Sequence, residues 1–398
     1  MTPDRRGWAI VASLSITQTV GYGVLSYAFA VFLTPIAADL RTSTTQVTGA
    51  LAASSLAGVA LAIPVGRWLD RHGGRALMTT GSTVATCLLV ALAHVRTLIG
   101  LYLVLLGLGL AAATVLYEAA FAVVVTWFHP PRRATALLAV TVVAGFASSI
   151  FLPLTGLLVD RLGWRTAALI LATVHGVVTI PLHGLVVRHA PPVPTPTARA
   201  SEAGDRTAVR TALTDRRFWI LGAVFVVHGA ALAAYTLHLV AYLTELGHPA
   251  TFAATVAGLL GLLSVSGRLA TTVLQRHRSL TTVVAGVFVV QAAAAVGLPL
   301  LGHTPAGAVS CVVGFGLGFG VATIARPVLL TDLYGTTGYA TISGVLTVPI
   351  TVAKAAAPLA AATLRNSTGG YTPVLAAIAA GCTLAATGLL LFGRSSPR

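Results

Sequence analysis

The sequence predicts an all-α membrane protein, with twelve transmembrane helices in two pseudo-symmetric halves of six. Three observations lead there. Hydrophobic residues make up 56% of the 398 and charged residues only 9%, against about 25% charged in soluble domains, so a water-soluble globule would lack the polar surface to stay hydrated. Twelve apolar runs follow one another, most near or above the roughly 20 residues that cross a bilayer as helix. The cations gather in alternate loops, the bias that orients membrane helices. Together these exclude a soluble enzyme, a disordered chain and a disulfide scaffold. The formal net charge of +15 needs no nucleic acid to explain it.

The runs lie at 8–33, 46–66, 76–95, 98–128, 134–159 and 166–187, and again at 218–243, 251–273, 280–301, 305–331, 341–364 and 372–393. The first follows Arg5 and Arg6 and contains Ala28-Phe29-Ala30, which imitates a signal peptide. It exceeds the 7–15 residue core of one and reads as an uncleaved span. Residues 188–217 hold Pro191, Pro192, Pro194 and Pro196 and then mixed charges, a polar linker without its own core. The plan is therefore a six-helix half over 1–187, a linker over 188–217 and a second half over 218–398. Seventeen of the 25 cations fall on the linker's side, five on the other and three inside spans, so both termini are expected in the cytoplasm of a cell inner membrane, multi-pass. Cys87, Cys311 and Cys382 sit singly in apolar runs and suggest no pairing.

Gly107-Leu-Gly109 in span 4 returns as Gly314-Phe-Gly316 in span 10, 207 residues later. Related halves of six spans are the plan of many secondary transporters. After span 2, Gly66, Asp70, Arg71, Gly73 and Arg75 stand in Gly-Arg-Trp-Leu-Asp-Arg-His-Gly-Gly-Arg, a stretch similar to the loop 2–3 signature of the major facilitator superfamily. Physically, Asp70 can cap a helix end or pair with a cation while the arginines hold one membrane face. The resemblance implies that this loop gates alternating access. Trp127-Phe128 before Arg132-Arg133, Ala144-Gly145 in span 5, and Leu162-Gly163-Trp164-Arg165 resemble the monocarboxylate porter and oxalate–formate exchanger branch; Trp127 and the Pro130-Pro131 turn depart from its pattern. The Gly-Pro and Gly-Gly signature of drug–proton antiporters is poorly met by Leu152-Pro153-Leu-Thr-Gly156-Leu157.

Charge inside a bilayer is costly and marks function by default. Glu118 is the one acid within a span, near mid-depth, where desolvation favours a neutral carboxyl; it is the candidate proton carrier, or else a structural ion-pair partner. Arg326 follows it by 208 residues, almost the repeat offset. Arg268 after Gly267 resembles the span-8 arginine with which monocarboxylate porters hold the substrate carboxylate, without the branch's preceding Asp. A guanidinium suits that task, and its alternative is to snorkel or lock a gate. Lys354, near the middle of span 11, is a further anion site or Glu118's partner. Spans 1, 4, 7 and 10 line the cavity in the superfamily, which implies substrate contact for the polar stripes Gln18, Tyr22, Ser26 and His228, Tyr235, His238, Tyr242. The histidines show no ligand-like clustering, so no metal is expected. Gly314, Gly316, Gly318 and Gly320 read as close helix packing.

The expectation is a non-enzyme without cofactors. It is a secondary active transporter of a small organic anion such as a monocarboxylate, coupled to protons, working in the lipid bilayer by alternating access. The alternatives are an efflux proton antiporter for drugs or metabolites, and a non-transporting membrane sensor.

Overall fold

The computed structural model describes residues 3–129, 132–188 and 198–394, and among them every regular element is a helix. Pro130 and Pro131, the linker prolines Pro191, Pro192, Pro194 and Pro196, and Arg398 lie outside the described residues. The helices are α1 (Pro3–Tyr22), α2 (Ala28–Asp39), α3 (Thr44–Ala60), α4 (Ala62–His72), α5 (Gly74–His94), α6 (Leu98–Val115), α7 (Tyr117–Trp127), α8 (Arg132–Ala144) and α9 (Ala147–Pro181). Then come α10 (Ala198–Thr214), α11 (Arg216–Glu245), α12 (Ala250–Leu274), α13 (Leu280–Leu301), α14 (Pro305–Gly316), α15 (Val321–Tyr334), α16 (Tyr339–Thr368) and α17 (Thr372–Arg394). Short π-helical stretches join α1 to α2 at Gly23–Tyr27 and follow α9 at Leu182–Val186.

Ten helices among the described residues are long and apolar enough to cross a membrane, and α3 with α4, bent by 43°, makes an eleventh crossing. One of the ten, Arg132–Val186, has 55 residues. At 1.5 Å per residue that is about 80 Å, far more than one crossing of a roughly 30 Å core. Its backbone breaks at Gly163, which adopts φ +76°, so it supplies spans 5 and 6 and the crossings number twelve. Side chains start several helices. Ser43 and Gln46 form a reciprocal capping box at α3, and Thr97, Ser279 and Thr304 cap α6, α13 and α14. Each occupies an orphan amide at a helix N-terminus. Within the stretch read as a polar linker, α10 forms an amphipathic helix whose Val209 lies 3.1 Å from the site a Cβ would take on Gly338.

The chain forms two compact units, one of Met1–Thr211 with Leu330–Val348 and the other of Ala212–Leu329 with Pro349–Arg398. The first is built on Phe29, Phe32, Leu89, Leu101, Trp164 and Leu171, the second on Tyr235, Leu239, Leu298, Phe315, Val374 and Ile378, all buried. Helix α16 contributes to both units and changes allegiance at Pro349.

Candidate functional site

The loop after α4 is held in the first unit by its carboxylate. Asp70 Oδ1 accepts from the Ala340 amide at 2.9 Å, and Oδ2 accepts from the Thr341 amide at 2.8 Å and its hydroxyl at 2.6 Å. A negative charge therefore caps the N-terminus of α16, where unpaired amides and the helix dipole favour it. Gly66 makes the approach possible, because any Cβ there would collide with the Ala340 carbonyl. Gly73 turns the chain at φ +70°, a conformation costly for residues with a side chain. Arg75 Nε donates to the Gly184 carbonyl at 2.7 Å, while Arg71 is exposed at the same end. Nearby, buried Arg133 donates to the Phe128 carbonyl at 2.9 Å and attracts Asp332. Trp127 donates to the Arg188 carbonyl at 2.9 Å.

Span 4 is interrupted at Leu116 between α6 and α7. An interruption frees carbonyls and amides that a bilayer cannot hydrate, so side chains must satisfy them. Gln18 does so on one side, its wholly buried amide donating to the Val115 carbonyl at 2.7 Å. Glu118 occupies the first turn of α7, where the helix dipole favours an anion. Half-buried, it accepts from the Ser343 hydroxyl at 3.0 Å. Tyr22 and Tyr117 meet at 4.5 Å between ring centres, and Tyr117 stacks on Phe121 at 4.9 Å.

Span 10 of the second unit is interrupted too, at Leu317–Gly320 between α14 and α15, where the backbone tightens into turns bonded three residues apart instead of opening through an extended residue as at Leu116. Gln291 donates to the Phe315 carbonyl at 3.0 Å, and His228 Nε2 donates to the Gln291 carbonyl oxygen at 2.9 Å. Arg268, 6% exposed, donates through Nε to the Gly320 carbonyl at 3.3 Å. Gly320 is obligatory here, since a Cβ would enter the Arg268 side chain and the Ser264 carbonyl. The glycines read as packing residues thus also permit a broken helix braced by an amide and a guanidinium. Arg326 is half-buried six residues beyond the break, and Lys354 runs exposed along Gly229. His238 Nε2 donates to the Pro358 carbonyl at 3.0 Å and Nδ1 accepts from the Tyr371 hydroxyl at 3.2 Å.

Four of the seven stripe residues sit differently from the sequence expectation, for His228 at 1% and Tyr242 at 6% exposure are buried as well as the two that follow. Gln18 is 0% exposed and committed to a backbone carbonyl, and Tyr235 is 1% exposed and stacked on Phe315 at 3.6 Å. A polar residue at helical spacing marks a face, and both faces are covered by neighbouring helices. Tyr22, His238, Arg326 and Lys354 keep exposed or half-buried surface. Sequence reasoning missed Ser343, Gln291 and Asp332; the first two are neutral residues in apolar runs whose role depends on a helix break no local motif announces. It also missed a repeated clamp. In the first unit Arg165 bonds the Ala93 and Val95 carbonyls and pairs with Asp39 at 2.6 Å. In the second, Arg365 pairs with Glu245 at 2.8 Å and lies over Tyr371.

Two units of membrane helices, each with an interrupted span braced by polar side chains, have the construction of a secondary transporter. The family profile described as Major Facilitator Superfamily matches residues 14–358. The chain belongs to that superfamily and is a multi-pass membrane protein. Over 198 residues it is 34% identical to a protein of Mycolicibacterium smegmatis described as an MFS-type efflux pump, covering 46% of this chain and 42% of that one. Over 199 residues it is 31% identical to human monocarboxylate transporter 11, covering 47% and 40%. The aligned parts thus span less than half the length of these relatives. Among solved structures, the Escherichia coli fucose:proton symporter superposes with a TM-score of 0.79 at 14% identity over 98% of both chains. The human organic anion transporter MFSD10 gives 0.72 at 16% identity over 98% of this chain and 100% of that one.

Proposed function

We propose that the protein is a secondary active transporter of a small organic anion such as a monocarboxylate, coupled to protons and working by alternating access. The observation that carries this reading is Arg268, a guanidinium only 6% exposed at the break of span 10. Desolvation strengthens a guanidinium's pull on a carboxylate, and its planar fork matches the two oxygens. Arg326 and Lys354 add positive charge in the same unit, with His238 and Tyr22 as further substrate contacts. Glu118, in the first turn of a mid-membrane helix, takes and releases the proton. Its bond to Ser343 ties that proton to α16, the helix that Asp70 caps.

In this reading the cap, with Gly66, Gly73, Arg71 and Arg75, is the gate, and it stands on the cytoplasmic side with both termini. The relative named monocarboxylate transporter 11 supports the anion class. The relative named an efflux pump supports a second reading, export of amphipathic compounds. Counterflow of labelled monocarboxylates and dicarboxylates in proteoliposomes tests the first reading. Saturable exchange of one class supports it, and no exchange of either, with export of a hydrophobic dye, supports the second.

A further inference from the structure

Helices α11, α16 and α17 of the second unit line an open apolar groove of about 330 Å³ that plays no part in the site above. Its walls are Val, Ala, Leu, Ile and Gly throughout, with no hydrogen-bonding side chain. Small-molecule sites of that size carry a few placed polar groups; a wall without any suits an alkyl chain.

Position narrows the occupant. On α16 the lining runs from Ala357 to Leu364 and stops next to Arg365; on α17 it starts at Val374, two residues into the helix. On α11 it lies deeper, from Val226 to Ala234, ending 11 residues before Glu245, about 16 Å along the axis. The groove therefore enters at the Arg365 end and slants to the middle of the membrane span, the reach of one leaflet in a core of roughly 30 Å. At its mouth stand Arg365 and Glu245, paired at 2.8 Å with side chains 41% and 40% exposed. An exposed pair of opposite charges complements a head group that carries both signs, and Glu245 repels one that is only anionic.

We propose that this groove seats one acyl chain of a phospholipid whose head group bears a phosphate and a primary amine, the phosphate on Arg365 and the amine on Glu245. The proposal is independent of what the protein transports. All three lining segments lie in the second unit, the α16 segment beyond the boundary at Pro349.

The test uses the full chain in nanodiscs containing phosphatidylethanolamine with a diazirine on one acyl chain, compared with phosphatidylglycerol bearing the same chain. Expected is labelling of the α11, α16 and α17 linings severalfold above the exposed face of α13 at Val289 and Val296, with phosphatidylethanolamine ahead. Ala360→Phe, which fills the groove, is expected to cut that labelling severalfold and spare α13; Ala377→Phe serves if the first variant does not fold. Glu245→Gln is expected to remove the lead of phosphatidylethanolamine. Labelling no higher than on α13, equal labelling by both lipids in the unaltered protein, or an unlabelled groove that crosslinks to a second copy would each overturn the proposal.

Discussion

Arg268 and Glu118 are the ionisable residues that sit beside the two opened helices. Arg268 is braced by the Gly320 carbonyl and Glu118 by the Ser343 hydroxyl, so each has a fixed position, and burial leaves the Arg268 charge little screened by water. Arg268→Lys keeps the charge and loses the fork. Its expected effect is a fall in carboxylate affinity of about tenfold or more, the loss of one charge-assisted hydrogen bond. Inhibition of counterflow by unlabelled substrate measures it, and unchanged affinity would move the anchor to Arg326. Glu118→Gln keeps size and hydrogen bonding while removing the proton. Gradient-driven accumulation is expected to disappear while exchange persists, since exchange does not need the empty carrier to reset. Loss of both activities in folded protein would make Glu118 a structural residue.

The interrupted spans, not the helices as such, distinguish this fold from a plain bundle. At each break a buried amide meets a backbone carbonyl, Gln18 that of Val115 and Gln291 that of Phe315, which also accepts from the Gly318 amide. Gln18→Leu is expected to lower stability by about 1–3 kcal/mol, the cost of an unsatisfied buried Val115 carbonyl, and Gln291→Leu by a similar amount because it takes the acceptor from buried His228 Nε2. Thermal unfolding of purified protein measures the drop, and an unchanged midpoint would mean that water replaces the amide. At the other breakpoint of interest, Asp70→Asn is expected to weaken the cap on α16, since a neutral amide cannot accept three bonds as a carboxylate does. Transport rate is expected to fall severalfold with the amount of folded protein unchanged, measured on matched monodisperse samples. Helix positions were legible from apolar runs and turn residues, as with the glycine at 163 that separates spans 5 and 6. The breaks were not, because Leu116 carries no breaker signature and the glycines flanking Leu317 fit close helix packing equally well.

For the molecule as a whole, composition was the most informative feature of the sequence. With 9% charge only a membrane fold was open, and the Gly66–Arg75 loop narrowed that to one superfamily, to which residues 14–358 belong. The site was partly legible. Charged residues within apolar runs announced themselves, whereas Ser343 and Gln291 became visible only once distant segments met, and the stripe residues Gln18 and Tyr235 turned out to be covered. The arginine clamps at Asp39 and Glu245 show the repeat more clearly than any run of identical residues, since geometry and charge persist where sequence has drifted. The proposed mechanism requires an anion and a proton to cross together. A pH-sensitive dye inside proteoliposomes reads this directly when monocarboxylate is added outside without a gradient. The lumen is expected to acidify with the unaltered protein and not with Glu118→Gln; entry of labelled anion with no change of internal pH would contradict cotransport.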